Sequence, residues 1–254
     1  MNSPPHSLTR AILVHAQRAL VFRHFTDPER FARWWGPGST VDGRVGGSVR
    51  IVYPNRVVAG GSVTRLEADR VVAFTYGYED PQRRIPVGGS QVTIELHDHA
   101  EGTRLQLRHD LPTETDRDQH DPGWRFQLAL VANAAANEQH AGLPTLLDQW
   151  FAAWSERDVA ARDRLLALCT TDDVTMQDYY ACLAGRADLS QHIAMCLVHA
   201  PSTSMRRVGE PRHCQGTALA EWVAQDAAGK PCGKGTNVVR LAADGRIAGV
   251  VGFW

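Results

Sequence analysis

Residues 121–140, DPGWRFQLALVANAAANEQH, decide how the first half of the chain is read. Trp124, Leu128, Val131 and Ala135 recur at helical spacing and so share one apolar face. Asp121-Pro122-Gly123 is expected to start this long helix, with His120-Asp121 as its cap. Upstream the signals are those of strands. SVRIVY (48–53), SVTRL (62–66), VVAFTYGY (71–78), QVTIEL (91–96) and TRLQLRH (103–109) are punctuated by Gly, Asp and Pro at hairpin spacing. They should pair antiparallel. Before them stand a strand-like run at Ala11–His15, a short helix with Phe22 and Phe25, and a helix from the Asp27-Pro28 cap to Trp34-Trp35. A long helix with one apolar stripe must bury that stripe against the sheet.

Downstream, ANAAANEQHAGLPT (132–145) begins as helix-forming alanines and ends in Gly142 and Pro144, a stop and a fresh start. The expected boundary is near Gly142, giving domains 1–141 and 142–254. LLDQWFAAWSERD (146–158) is a helix with Leu147, Trp150, Phe151 and Trp154 on one face, and a second helix carries Leu165, Leu166 and Cys169. DDVTMQDYY (172–180) alternates as a strand, and a helix runs from Asp188 towards Leu197. HCQGTALAEWVAQD (213–226), GTNVVRLAADG (235–245) and RIAGVVGFW (246–254) are strand-like. Helices followed by antiparallel strands give an α+β class.

Composition bounds the function. The 254 residues exceed what one core usually serves. A net charge of -1 offers no footprint for nucleic acid, and Arg83-Arg84 and Arg206-Arg207 are expected in loops or at solvated strand ends. No apolar run approaches the roughly 20 residues of a membrane span. The opening MNSPPHSLTR has no apolar core of a signal peptide, so a cytoplasmic protein is expected. Five cysteines, an odd count without a CxxC pair, agree with that and offer no metal spacing.

Five blocks in order, VFRHFTDPERFARWW (21–35), VGGSV (45–49), GGSVTRLEADRVVAFTY (60–76), TRLQLRHDL (103–111) and HDPGWRFQL (120–128), resemble AHSA1-type members of the START/Bet v 1-like (SRPBCC) superfamily. The resemblance implies a helix-grip fold, an antiparallel sheet around a long C-terminal helix with an apolar cavity between them. WFAAWSERDVAARDRLLAL (150–168), TTDDVTMQDYYACLAGRADL (170–189) and GTNVVRLAADGRIAGVVGFW (235–254) resemble the SnoaL-like branch of the NTF2-like superfamily. That implies a cone, a curved antiparallel sheet wrapped by helices, often as a homodimer through the sheet.

In DVTMQDY, Val174, Met176 and Asp178 share one face, otherwise apolar. A carboxylate there is placed as a general base, and the matching position in ketosteroid-isomerase-like members carries their proton-shuttling aspartate. The alternative is an aspartate that caps the turn after the strand. Asn237, alternating with Val239 and Leu241, stands where those isomerases place a protonated aspartate, and its amide can donate to an oxyanion. Their first-helix tyrosine aligns with Trp150, an N–H donor that exchanges no proton, so steroid isomerisation itself is not expected. Trp150, Trp154, Met176, Tyr180, His199 and Trp222 are expected to bind ligand in the second domain, with Tyr179, His192 and His213 as further mouth residues. Tyr76 and Trp124, with Arg50 and Tyr53, are expected to line a cavity in the first. No catalytic constellation is legible there: His109 and Asp110, adjacent in a strand, point to opposite faces.

Two readings follow. One is a cofactor-independent enzyme of the cyclase, isomerase or dehydratase type, without metal, acting on a small hydrophobic carbonyl compound. The other is a non-catalytic carrier of such a ligand. A chaperone-associated, Hsp90-activator-like role ranks third.

Overall fold

The computed structural model describes residues 6–254. Internal contacts divide the chain into Met1–Ala136 and Asn137–Trp254. The division lies within a helix, upstream of the Gly142 expected from the sequence; Gly142 is instead the N-cap of the following helix.

The first unit holds β1 (His6–Val14), α1 (Arg18–Thr26), α2 (Pro28–Trp35), β2 (Thr40–Val41), β3 (Ser48–Val52), β4 (Val58–Glu67), β5 (Val71–Tyr78), β6 (Ser90–His99), β7 (Gly102–Leu111) and α3 (Glu114–Gln139). Its seven-stranded sheet has the order β1-β7-β6-β5-β4-β3-β2, with every pair antiparallel. α2 starts as its sequence dictates: the Asp27 carboxylate accepts from Arg30 N at 3.0 Å, and Pro28 occupies the first turn, where no N–H is needed. Trp124, Leu128, Val131 and Ala135 of α3 are buried in one core with Val72, Phe74, Ile94 and Leu107 of the sheet. This is the helix-grip arrangement.

α3 starts earlier than the sequence suggested. Thr113 Oγ1 accepts from Asp116 N at 3.1 Å and donates to Asp116 Oδ2 at 2.6 Å, a reciprocal cap that outweighs the Asp-Pro-Gly signal. Pro122 therefore lies inside the helix, and His120 and Asp121 are helical residues, not its cap. Asp121 instead accepts from Arg10 Nε at 2.7 Å and from Arg125 Nη2 at 2.7 Å.

The second unit holds α4 (Leu143–Ala153), α5 (Val159–Cys169), β8 (Thr170–Gln177), β9 (Cys182–Ala184), α6 (Arg186–His199), β10 (Ser204–Cys214), β11 (Thr217–Gln225), β12 (Pro231–Leu241) and β13 (Ile247–Phe253). Its six-stranded sheet runs β10-β11-β12-β13-β8-β9. All pairs are antiparallel except β13–β8, where Val250 stands beside Met176 in the same direction. Ala218, Ala220, Trp222 and Val239 face a core shared with Leu147, Trp150 and Phe151 of α4 and Ile193 of α6. Arg206 and Arg207 sit within β10, not in a loop or at a strand end. Among the described residues no helix is long and apolar enough to cross a membrane.

Candidate functional sites

A cavity of about 500 Å3 opens in the second domain. Trp150, Trp154, Met176, Asp178, Tyr180, His199, Trp222 and Asn237, each expected from the sequence, all line it. On the helix side, Trp150 and Trp154 pack with ring centroids 6.0 Å apart. At the rim, Trp254 touches Tyr180 at 5.4 Å and Trp222 at 6.4 Å. His192 also contributes, but Tyr179, in the turn after β8, is 87% exposed and outside the lining. His213 likewise lies elsewhere, its Nδ1 2.7 Å from Asn137 Oδ1.

β8 ends at Gln177, so Asp178 enters the turn that follows. Its Oδ1 accepts from Tyr180 N at 2.8 Å, and its own N–H donates to Ala181 O at 3.0 Å. The side chain thus shapes the turn and borders the cavity. Asn237 is buried on β12. Trp222 Nε1 lies 3.2 Å from Asn237 Oδ1, and an indole N–H only donates, so the carboxamide oxygen faces Trp222 and the NH2 group is the donor left over. Asn237 pairs with Gly252 across β12–β13. A Cβ built on Gly252 would lie 3.4 Å from Asn237 Oδ1 and 3.4 Å from Asp178 Cβ. The missing side chain leaves a methyl-sized gap between the Asn237 amide oxygen and Asp178 Cβ.

Further chemistry on this wall was not legible in the sequence. The indole N–H groups of Trp150 and Trp154 are buried without a hydrogen-bond partner. Each such donor costs about 1–3 kcal/mol. On α6, Cys196 Sγ lies 3.5 Å from His192 Nε2, and burial, reinforced by the charge of Asp178, pushes the thiol pKa up.

The first domain has a second cavity of about 310 Å3, lined by Trp35, Tyr53, Tyr76, Tyr78, His120, Trp124 and Gln127 among others. Tyr53, Tyr76 and Trp124 stand as expected. Arg50 does not; it alternates outward on β3 and donates to Gly38 O at 3.2 Å. Sequence reading found no constellation here, yet the structure brings together a directional network. Trp124 Nε1–H donates to His109 Nδ1 at 3.0 Å. His109 Nε2 must then carry the proton, which it donates to Ser90 Oγ at 2.8 Å, and Ser90 donates to Tyr76 O at 2.9 Å. Burial, helped by His120, lowers the His109 pKa to about 3, so the ring is neutral. His120 Nδ1 donates to Asp116 O at 2.7 Å, leaving Nε2 to accept from Tyr78 OH at 3.2 Å. Burial also lowers the His120 pKa. The Tyr53 and Tyr76 hydroxyls lie 2.8 Å apart, and burial raises both phenol pKa values. His109 and Asp110 do face opposite ways: His109 is fully buried, while Asp110 accepts from Arg108 Nε at 2.7 Å.

Among the described residues no group of three or more His, Cys, Asp or Glu is placed to hold a metal ion.

Residues 15–136 match the family described as activator of Hsp90 ATPase homolog 1-like protein (AHSA1). No curated protein matches the chain. Of solved structures, a putative isomerase of the SnoaL-like family from Agrobacterium tumefaciens is 26% identical over 46% of this chain and 97% of its own, with a TM-score of 0.42. CalU16 from Micromonospora echinospora is 25% identical over 52% of this chain and 77% of its own, with a TM-score of 0.43. The Aha1 dimer from Colwellia psychrerythraea is 17% identical over 48% and 91%, with a TM-score of 0.42. Residues 15–136 are thus similar to the AHSA1 family, a stretch that falls within the first domain.

Proposed function

We propose that the second domain binds a small hydrophobic carbonyl compound and moves a proton on it, as a cofactor-independent enzyme of the cyclase, isomerase or dehydratase type. One observation carries this reading: Asp178 and Asn237 line one cavity whose wall is otherwise rich in Trp and Met side chains. A carbonyl compound seated there meets a carboxylate at its acidic C–H and the Asn237 NH2 at its oxygen. Asp178 takes the proton as general base, and the amide, turned by Trp222, stabilises the enolate oxygen as charge develops. Trp150 and Trp154 supply part of the apolar wall.

The test is deuterium uptake, read by mass spectrometry, in cyclic ketones and polyphenolic carbonyl compounds incubated with the protein in heavy water. Uptake that disappears in Asp178→Asn supports proton abstraction. The engagement of Asp178 Oδ1 by Tyr180 N–H favours a second reading, in which the cavity only carries its ligand and the carboxylate holds the turn. Compounds that quench tryptophan fluorescence but exchange no deuterium in either protein decide for the carrier.

A further inference from the structure

Cys196 follows His192 by four residues on α6, one helical turn on, so the two side chains share a face. Both residues line the second-domain cavity, and both are half-buried, so neither is sealed in the core. The Cys196 sulfur lies 3.5 Å from His192 Nε2, within reach of an S–H···N hydrogen bond. Trp154, also in the lining, packs edge-on against the His192 ring with centroids 6.0 Å apart. A nucleophile, a base within hydrogen-bond reach and a third group that orients the base are the parts of an activated nucleophile. The other cysteines lack this arrangement among the described residues. Cys169 is fully buried and turned to Leu166 O, while Cys182, Cys214 and Cys232 are exposed.

The surroundings decide how such a thiol reacts. Cys196 lies in the last turn of α6, where free carbonyl groups oppose a negative charge. Burial and the charge of Asp178 act in the same direction, so the thiol keeps its proton at rest. A redox-sensing thiol is ionised beforehand. This one becomes nucleophilic only as its proton passes to His192, which suits an electrophile that the cavity has already bound. The wall of Trp150, Trp154, Met176 and Trp222 admits a partner with an apolar body, and a polarisable sulfur matches an electrophilic carbon. Acyl transfer would concentrate charge on one oxygen and call for an oxyanion hole. Addition to a conjugated carbonyl spreads that charge over an enolate.

We propose that Cys196, with His192 as its base, is a site of covalent capture for apolar α,β-unsaturated ketones. Sγ forms a bond to the β carbon, and the C=C electron pair moves towards the carbonyl oxygen as an enolate. The S–H proton goes to His192 Nε2 and from there to the α carbon. The product is a saturated ketone joined to Cys196 through a thioether, and nothing is oxidised or reduced. The capture stands apart from the proton transfer proposed for Asp178, which it does not require.

The test incubates the full chain with benzylideneacetone, an aryl enone, and follows each cysteine by peptide mass spectrometry. Cys182 and Cys214, exposed and outside the cavity lining, serve as references in the same sample. The expected rate at Cys196 exceeds theirs and saturates with enone concentration, whereas theirs rises in proportion to it. Benzylacetone, the saturated ketone, should protect Cys196 and leave the references untouched. His192→Asn should slow the reaction at Cys196 by about 10²–10⁴, the range a positioned general base supplies. Asp178→Asn should leave capture intact. In the native protein, a Cys196 that reacts more slowly than the references, or without saturation, overturns the proposal without any variant. So does a native rate in His192→Asn, or a loss of capture in Asp178→Asn, which would make the carboxylate the base.

Discussion

Asp178 and Asn237 meet over a glycine: Asp178 Cβ and Asn237 Oδ1 each lie 3.4 Å from where a Cβ on Gly252 would sit. Three strands create this relationship. β12 carries Asn237, β13 carries Gly252 directly opposite it, and β8 runs alongside β13 and delivers Asp178 just past its end.

Filling that gap separates folding from function. At 3.4 Å an added methyl makes ordinary contact, so Gly252→Ala should fold with stability unchanged or raised by up to about 1 kcal/mol, as glycine in a strand is entropically costly. Ligand affinity, measured by tryptophan quenching, should fall, since the methyl takes up cavity space beside Asp178 and Asn237. Unchanged affinity would place the ligand elsewhere in the cavity.

Asp178→Asn keeps the turn, because the amide oxygen still accepts from Tyr180 N–H. Melting temperature and ligand affinity should therefore hold. Deuterium exchange should fall by about 10²–10⁴, the range a positioned general base supplies. A variant that exchanges at the native rate removes Asp178 from the chemistry.

Trp222→Phe strips the donor from Asn237 Oδ1 and leaves a buried acceptor unpaired. The expected loss is about 1–3 kcal/mol in urea unfolding. In an Asn237→Leu background the same change should cost less, because no acceptor then remains. Equal costs in both backgrounds would show that the indole contributes packing alone.

The buried His109 ring makes the first domain acid-sensitive. Its pKa is about 3 when folded, against about 6.5 in an unfolded chain. Below about pH 6.5 the unfolded state binds the proton and the folded state does not. Stability should thus fall with pH down to about 3, by at most about 1.4 kcal/mol per unit from this group. His109→Gln can keep both hydrogen bonds without titrating, and should flatten the acid limb of a pH series of urea unfolding curves. An identical limb would assign the sensitivity to other groups.

The sequence carried the elements whose signals are local. The strands β3, β6 and most of β7 alternate and are punctuated by turns, and α2 has both its cap and its proline. It misplaced the start of α3 because Asp-Pro-Gly is a more familiar break than Thr-x-x-Asp, although the latter makes the actual cap. β10 stayed hidden for a physical reason: it is an edge strand with no fully buried residue, so it has no apolar period to read. The second-domain wall was legible because Val174, Met176 and Asp178 alternate, and so do Asn237, Val239 and Leu241. The first-domain network was not. Tyr78 and His120 lie 42 residues apart, Ser90 and His109 lie 19 apart, and only the sheet register brings such partners together.

The parallel seam between β8 and β13 also bears on when the second domain acquires its cavity during folding. Met176 meets Val250 across 74 residues of sequence, whereas β10, β11 and β12 join as successive hairpins. Closing so long a loop costs entropy that local pairings do not. The hairpins are therefore expected to assemble first and the seam last, so a chain that has gained most of its β structure would still lack a binding pocket.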